Sequence, residues 1–269
     1  MKKNILLIII AIILILAGIS VLSIKNCIFF VKKNVAEENP INNNYLSVSV
    51  IPIHQTDNFY NIQAEYPQFK NASDEFNKKI ADLITEEIDN FKKSAKENWD
   101  ARRATAMPDN PVPENPEGPF DFIATWKPVQ LNNEYLSFVI NSYYFVGGAH
   151  GANEVHAFNY DLAKQKEITI LDFLNSSQQY FEKLAELSAK EVTSKLQGNE
   201  VMIDDFLKQM IQDGTKATQE NYKDFNFNYN SLIIYFQQYQ VAPGAAGEIT
   251  ITFYKNTLDK NSIKSDYLK

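Results

Sequence analysis

The fold is decided by two glycine-bearing runs set in strand-like sequence: Gly147-Gly148-Ala149-His150-Gly151 and Val241-Ala242-Pro243-Gly244-Ala245-Ala246-Gly247. Together they hold five of the nine glycines in this chain of 269 residues. Each run is followed by a strand-like segment, 155–160 after the first and 248–254 after the second. Glycine inside a strand pattern marks a bulge, a sharp bend or a close backbone approach. We therefore expect structural bends at Gly147, Gly148, Gly151, Gly244 and Gly247.

Hydrophobic periodicity predicts the elements around these bends. Alternating or apolar runs bounded by turn residues predict strands at 46–53, 59–66, 121–131, 135–145, 155–162, 232–241 and 249–254. A helical period predicts a long helix that begins at the N-cap Ser73, and two shorter helices at 176–198 and 201–212. Pro128 predicts a sheet edge or a bulge. This order predicts an α+β protein with mainly antiparallel sheets and helices packed on one side.

The N-terminus predicts a membrane anchor. Residues 5–23 form an uncharged run of 19 residues, which is long enough to span a hydrocarbon core of about 30 Å as a helix. A secretory signal usually has a shorter apolar region of roughly 7–15 residues. We therefore expect one transmembrane helix before the domains and a single-pass protein of the cell membrane with its C-terminal part extracytoplasmic. Cleavage near 21–23 would instead give a secreted protein.

The charge distribution excludes one class of partner and favours another. Residues 1–34 contain five lysines and no acidic residue, so the remainder carries 21 basic and 33 acidic residues, a balance of −12. A surface of this kind repels nucleic acid and anionic lipid headgroups. It attracts a basic partner at short range.

The chain resembles a bacterial extracytoplasmic family that pairs two domains of unknown function, DUF4163 and DUF3298. The resemblance rests on Tyr66-Pro67 before the long helix, the 147–151 run, the segment 171–174 and the segment 236–247. It departs from the family at Gly244, where the family usually has an aromatic residue. Together, the resemblance and the apolar N-terminal run predict five segments: an anchor or uncleaved signal at 1–34, a linker at 35–44, a DUF4163-like domain at 45–151, a DUF3298-like domain at 152–257 and a tail at 258–269.

The resemblance implies a setting at the cell envelope. Similar domain pairs form the outer part of membrane anti-sigma factors of the RsiV type, where they sense lysozyme, and accompany peptidoglycan deacetylases as a non-catalytic neighbour. We therefore expect a membrane-tethered binding or sensing module whose partner is a basic, lysozyme-like protein or a wall glycan. Two alternatives stay open: a peptidoglycan-directed hydrolase or deacetylase that uses His150, and a purely structural envelope domain.

Candidate ligand-binding residues lie near the two glycine runs: Tyr143, Tyr144, His150, Glu154, His156 and Tyr239. Consecutive aromatic residues at 143–145 must direct at least one ring away from the core face, and an exposed tyrosine beside acids suits a sugar or a basic protein. In an extended strand the two histidines would stand about 20 Å apart, too far to share one ion.

The sequence contains no motif that would bring catalytic or metal-binding side chains together. Glu154 and His156 would lie about 7 Å apart in a strand but lack a third ligand. The pairs Glu86-Glu87 and Asp204-Asp205 are interpreted as solvated helix faces. No GxSxG, P-loop, HExxH or GxGxxG pattern occurs. The sequence therefore predicts no catalytic residue, no metal site and no cofactor.

Overall fold

The computed structural model describes residues 46–104, 119–148 and 150–269. The predicted transmembrane helix at 5–23 and the predicted linker at 35–44 lie outside these ranges. Within them, no helix is both long enough and apolar enough to cross a membrane.

A six-stranded sheet contains the strands of the first half in chain order: β1 (Val48–Thr56), β2 (Tyr60–Phe69), β3 (Phe120–Leu131), β4 (Tyr135–Phe145), β5 (Ala152–Asp161) and β6 (Lys166–Glu167). Every neighbouring pair is antiparallel except β2 and β3, which run parallel. A parallel pair needs a long crossover, and helix α1 (Asp74–Ala104) lies in that connection. The register of β3 shifts between Pro128 and Gln130, so the bulge that Pro128 predicts is present.

Helix α1 packs one apolar stripe on a face of this sheet. It begins as predicted, with the Ser73 hydroxyl accepting from the backbone N–H of Phe76 at 3.2 Å and two acids in the first turn. Side chains at three- and four-residue steps are buried: Phe76, Ile80, Ile84, Ile88, Phe91, Ala95 and Trp99. The stripe fixes the rotation of the helix, and therefore which of its polar residues lie over β4 and β5.

The second half builds a smaller antiparallel sheet covered by helices. Its strands are β7 (Phe225–Asn228), β8 (Ser231–Phe236) and β9 (Ile249–Tyr254), and its helices are α2 (Ile170–Phe173), α3 (Gln178–Gly198), α4 (Asp205–Gly214) and α5 (Lys255–Lys260). Helix α3 buries the predicted apolar face: Phe181, Leu184, Ser188, Val192 and Leu196. The mixed α+β class with antiparallel-rich sheets is therefore confirmed.

The boundary between the two regions lies later than the sequence predicts. Strand β5, which the division at 151/152 assigns to the second domain, pairs with β4 from Ala152 to Asp161 and so belongs to the first sheet. The segment 258–269 is not a free tail, because Leu258, Ile263 and Tyr267 are buried in the second core. The four-residue strand β7 was not predicted, since so short a run carries little periodicity.

Buried polar side chains join the two regions. The Asn226 side chain, fully buried, donates to the carbonyls of Phe138 at 2.9 Å and Phe158 at 3.2 Å. At the edge of β5, the Gln237 side chain accepts from the N–H of Val155 at 3.2 Å and donates to its carbonyl. These bonds satisfy backbone groups that burial would otherwise leave unpaired.

Candidate functional site

An ionisable cluster lies where α1 crosses β4 and β5. The Nε2 atom of His156 is 2.6 Å from Glu87 Oε1 and 3.6 Å from Glu154 Oε2. Hydroxyl groups hold the other oxygen of each carboxylate: Ser142 Oγ donates to Glu87 Oε2 at 2.7 Å, and the Tyr144 hydroxyl lies 3.4 Å from Glu154 Oε1. One imidazole is thus positioned between two carboxylates that are each oriented by a neighbour.

Strand alternation places four of these side chains on one face. Glu154 is opposite Ser142 in the β4–β5 ladder, and His156 is opposite Ile140, whose side chain is fully buried beneath α1. Successive residues point to opposite faces of a sheet, so Tyr144 faces α1 as well.

Glu87 reaches the cluster because of its position in the helix. It follows Ile84 by three residues and precedes Phe91 by four, which puts it at the edge of the buried stripe. Its side chain is only 13% exposed, so the interpretation of Glu87 as a solvated residue was wrong. The spacing 84, 87, 91 was the sequence signal that could have identified it.

The other acids of the two predicted solvated pairs differ from Glu87. Glu86 is exposed, as is Asp205, which pairs with Lys208 at 2.8 Å. Asp204 instead caps α4 by accepting from the backbone N–H of Leu207 at 2.8 Å. The interpretation as a solvated helix face therefore holds for Glu86 and Asp205, but not for Glu87, and Asp204 serves as a helix cap.

The electrostatics of the cluster favour a charged imidazole. Burial lowers the pKa of His156, but its contacts with Glu154 and Glu87 outweigh burial and raise that pKa to about 9. The same contact with His156 holds the pKa of Glu154 below its ordinary value. Burial beside Glu154 raises the pKa of the Tyr144 hydroxyl. The raised pKa of His156 and the lowered pKa of Glu154 favour an ion pair between these two groups.

Asp224 of the second region reaches the same strand. Its Oδ1 accepts from the N–H of Ala157 at 3.2 Å, and its Oδ2 accepts from Gln237 Nε2 at 2.9 Å. Burial raises the pKa of Asp224. A third acidic group is therefore fixed one residue beyond His156, at the contact between the regions.

A groove lined by both apolar and charged side chains opens beside the cluster, with a volume of about 800 Å³. Helix α1 forms one wall, and residues 167–170 together with residues 219–225 form the other. We call it the α1 groove; its polar lining includes Lys78, Lys79, Glu86, Gln219, Lys223 and Asp224, and His156 also lines it. A smaller cavity of about 270 Å³ touches Glu87, Tyr144 and Glu154. The cluster is therefore accessible from two sides.

The order of contacts in the cluster does not match a hydrolytic triad. Glu87 lies between Ser142 and His156, whereas in a Ser-His-Asp triad the imidazole contacts the serine. The hydroxyl of Ser142 donates to the Glu87 carboxylate, which is itself paired with the imidazole. The arrangement suits ion pairing, ligand binding or coordination of a cation.

The structure brings together only some of the residues predicted to bind ligand. Tyr144, Glu154 and His156 share the cluster. His150 is exposed outside it, with Nδ1 2.8 Å from the carbonyl of Gly151. Tyr143 lies on the opposite face of β4 from Tyr144.

The glycine runs have two structural roles. Gly147, Gly148 and Gly247 have φ of +95°, +103° and +68°, which other residues rarely adopt. A side chain at Gly151 would collide with the ring of Tyr143, and one at Gly244 with the ring of Tyr239. Tyr239 itself is 62% exposed and lies in the second region.

Two family models match successive parts of this architecture. Residues 53–153 match the model described as "Deacetylase PdaC", and residues 171–255 match the model described as "Protein of unknown function (DUF3298)". The fold agrees with that of a DUF3298 family member from Bacteroides fragilis NCTC 9343, with TM-score 0.56 and 15% identity over 80% of this chain and 92% of that one. A DUF3298 family protein from Pseudomonas aeruginosa PAO1 gives TM-score 0.52 and 15% identity over 80% and 93%. The DUF3298 assignment predicted from the sequence is therefore supported.

A curated relative extends the comparison to function. The chain is 26% identical over 237 residues to the peptidoglycan-N-acetylmuramic acid deacetylase PdaC of Bacillus subtilis (strain 168). The match covers 88% of this chain but 46% of the relative, so the chain spans about half the length of the curated relative it matches.

Proposed function

We propose that the chain is a cell-wall-directed binding module that holds a peptidoglycan fragment in the α1 groove. The observation that carries this proposal is the groove itself. It is about 800 Å³ in volume and lies between the part of the chain that matches PdaC and the part that matches DUF3298. Clefts of roughly 300–1,000 Å³ are the usual size of small-ligand sites.

The α1 groove is lined by three lysines and by six acids, so it suits a polar ligand that offers hydroxyl and amide groups to the acids and a carboxylate to a lysine; the acids are Glu75, Asp82, Glu86, Glu167, Glu220 and Asp224. Three lysines reach into it, and each forms an ion pair: Lys78 with Asp82, Lys79 with Glu167 and Lys223 with Glu220. Exposed pairs of this kind contribute only about 0–1 kcal/mol to stability. A lysine can therefore exchange its protein carboxylate for a ligand carboxylate at little cost in free energy. A muramoyl glycan with its peptide carries such carboxylates.

The relationship to PdaC supports the choice of ligand but not a reaction. The relative's name places its activity on N-acetylmuramic acid of peptidoglycan, and this chain matches 46% of that protein. Ser142 donates to Glu87, which is itself paired with the His156 imidazole, so the cluster favours recognition over nucleophilic attack. We therefore propose that this chain shares recognition of the cell wall with PdaC, and we do not propose that it shares deacetylation.

Tethering is a separate part of the proposal. The uncharged run 5–23 supports a single membrane-spanning helix, with the residues beyond 45 outside the cytoplasm. Protease added to spheroplasts should degrade the region beyond residue 45. Protection of that region would overturn this placement without affecting the groove.

Titration of the purified full chain with soluble muropeptides tests the proposed ligand. The chain is kept in mild detergent because of its apolar residues 5–23. The double variant Lys78→Glu/Lys223→Glu should weaken binding by at least about tenfold, since hydrogen bonds to charged groups contribute about 1.5–3 kcal/mol. Lys190→Glu makes half of this charge change on the exposed face of α3 and should leave binding unchanged.

A basic protein is the second candidate, favoured by the balance of −12 beyond residue 34. Parallel titration with lysozyme at low and moderate salt decides between the two, because screening acts over about 8–10 Å and weakens a charge-driven complex. Binding of lysozyme alone would replace the glycan proposal. Muropeptide cleavage or deacetylation abolished by His150→Ala would instead favour an enzyme.

A further inference from the structure

We propose that Glu87, Glu154 and His156 form a binding site for one divalent transition-metal ion, with Zn²⁺ as the best match. The ligands would be Nε2 of His156 and one carboxylate oxygen from each glutamate. The sequence-based expectation of no metal site depended on the lack of a third ligand beside Glu154 and His156. Helix α1 supplies that ligand from 67 positions earlier in the chain.

The distances are close to those that a metal requires. One ligand atom from each of the three residues lies within 4.8 Å of the others. Ligands bound at about 2.0–2.2 Å in tetrahedral geometry are roughly 3.3–3.6 Å apart. The contact of 2.6 Å between Nε2 and Glu87 is shorter than that range, and the contact of 3.6 Å between Nε2 and Glu154 is at its upper end. Small side-chain movements, without a change of backbone, would complete the geometry.

The surrounding hydroxyl groups already orient both carboxylates as a metal site needs. Ser142 holds the oxygen of Glu87 that does not face His156, and Tyr144 holds the corresponding oxygen of Glu154. Outer-shell hydrogen bonds of this kind fix ligand direction in metal sites. A simple surface ion pair does not require both carboxylates to be held on their far side.

Charge and access favour a divalent ion. A protonated imidazole balances one of the two carboxylates, whereas a divalent ion bound to neutral imidazole balances both. Buried Asp224 adds further negative potential near His156. The Glu154 side chain is 45% exposed, which gives an ion a route from solvent and leaves coordination positions for water or ligand. One nitrogen and two carboxylate ligands suit Zn²⁺ better than Mg²⁺ or Ca²⁺, which prefer oxygen.

This inference does not rest on the proposed function. A metal site can exist whether or not the α1 groove binds peptidoglycan, and the probe is the ion alone. The two therefore fail separately: muropeptide titration tests the groove, and Zn²⁺ titration tests the cluster.

Competition of the full chain with a chromophoric chelator measures Zn²⁺ binding directly. We expect one ion per chain, with affinity reduced at least about 100-fold in His156→Ala and Glu87→Gln. Ser142→Ala removes an outer-shell bond and should reduce affinity by about tenfold, the lower end for such changes. X-ray absorption of the loaded protein should show one imidazole nitrogen with oxygen ligands.

The other two histidines provide matched controls. His54→Ala and His150→Ala remove imidazoles that lie outside the cluster and should leave affinity unchanged. Glu154→Gln alters the most exposed of the three side chains, so loss of binding with an unchanged melting temperature cannot be attributed to misfolding. Absence of stoichiometric binding at micromolar free Zn²⁺, or binding retained in both His156→Ala and Glu154→Gln, would overturn the proposal.

Discussion

Both regions of the molecule pack helices on an antiparallel-rich sheet, but they place different side chains between helix and sheet. In the second region, α3 presents an apolar face interrupted only by the hydroxyl of Ser188. In the first region, the edge of the α1 stripe carries Glu87, which meets His156 on the sheet. Replacing a buried ion pair with hydrophobic residues is often neutral or stabilising. The first region therefore holds a buried ion pair at a position where an apolar contact would serve stability at least as well.

Aromatic packing gives the largest test of this comparison, because both cores depend on it. Phe138 is fully buried with rings at 5.1 Å on Phe69 and Phe158. Phe227 is fully buried against Phe173 at 5.5 Å. Each Phe→Ala change should cost about 3–5 kcal/mol in the free energy of unfolding. Chemical denaturation should show one transition in both variants, and separate transitions would mean that the regions fold independently.

The ion pair gives the next largest effect. Glu87→Leu alone leaves the His156 imidazole without its closest partner and should destabilise by about 1–3 kcal/mol. The double variant Glu87→Leu/His156→Leu removes both polar groups and should be close to the parent or more stable. Urea unfolding of the two variants measures this. A double variant as unstable as the sum of the singles would mean that the pair serves stability.

The pH dependence of stability gives a smaller effect with a definite sign. The folded-state pKa of His156 is raised to about 9 from 6.5. Its contribution is therefore fully present below about pH 6.5 and is lost as the pH rises through 9. With partial exposure taken into account, we expect a loss of about 1–2 kcal/mol. Unfolding with chelator present, at pH values below and above this window, should show the loss in the parent and a smaller one in His156→Gln.

The first glycine bend gives the smallest effect among the folding tests. Gly148 has a φ of +103° with open space around its Cα, so a side chain there is strained but not crowded. Gly148→Val should destabilise by more than about 1 kcal/mol. Gly198→Ala at the end of α3 meets no neighbour and should be neutral or stabilising. Equal melting temperatures for the parent and Gly148→Val would contradict the assigned bend.

Periodicity predicted most of the fold because most elements bury one face. The long helix, its Ser73 cap and the α3 face follow directly from apolar spacing. The site was harder to predict, because it is assembled across distance in the chain. Strand spacing placed Glu154 and His156 about 7 Å apart as candidate ligand-binding residues, but it did not predict their contact. Glu87 reaches them only through the crossover between the parallel strands β2 and β3, which the sequence did not reveal. The pairing of β5 with β4 across the predicted division at 151/152 was not predicted for a related reason, because strand pairing depends on tertiary structure.

The central claim is that the wall fragment binds in the α1 groove, between helix α1 and residues 219–225. Chemical-shift mapping of the isotope-labelled chain during titration with a soluble muropeptide tests this claim most directly. We expect shifts concentrated on the groove-facing side of α1, at His156 and along residues 219–225. We expect little change on the exposed face of α3 or around Tyr239. Shifts centred on α3 or on the second glycine run, or no shifts at all, would contradict the account.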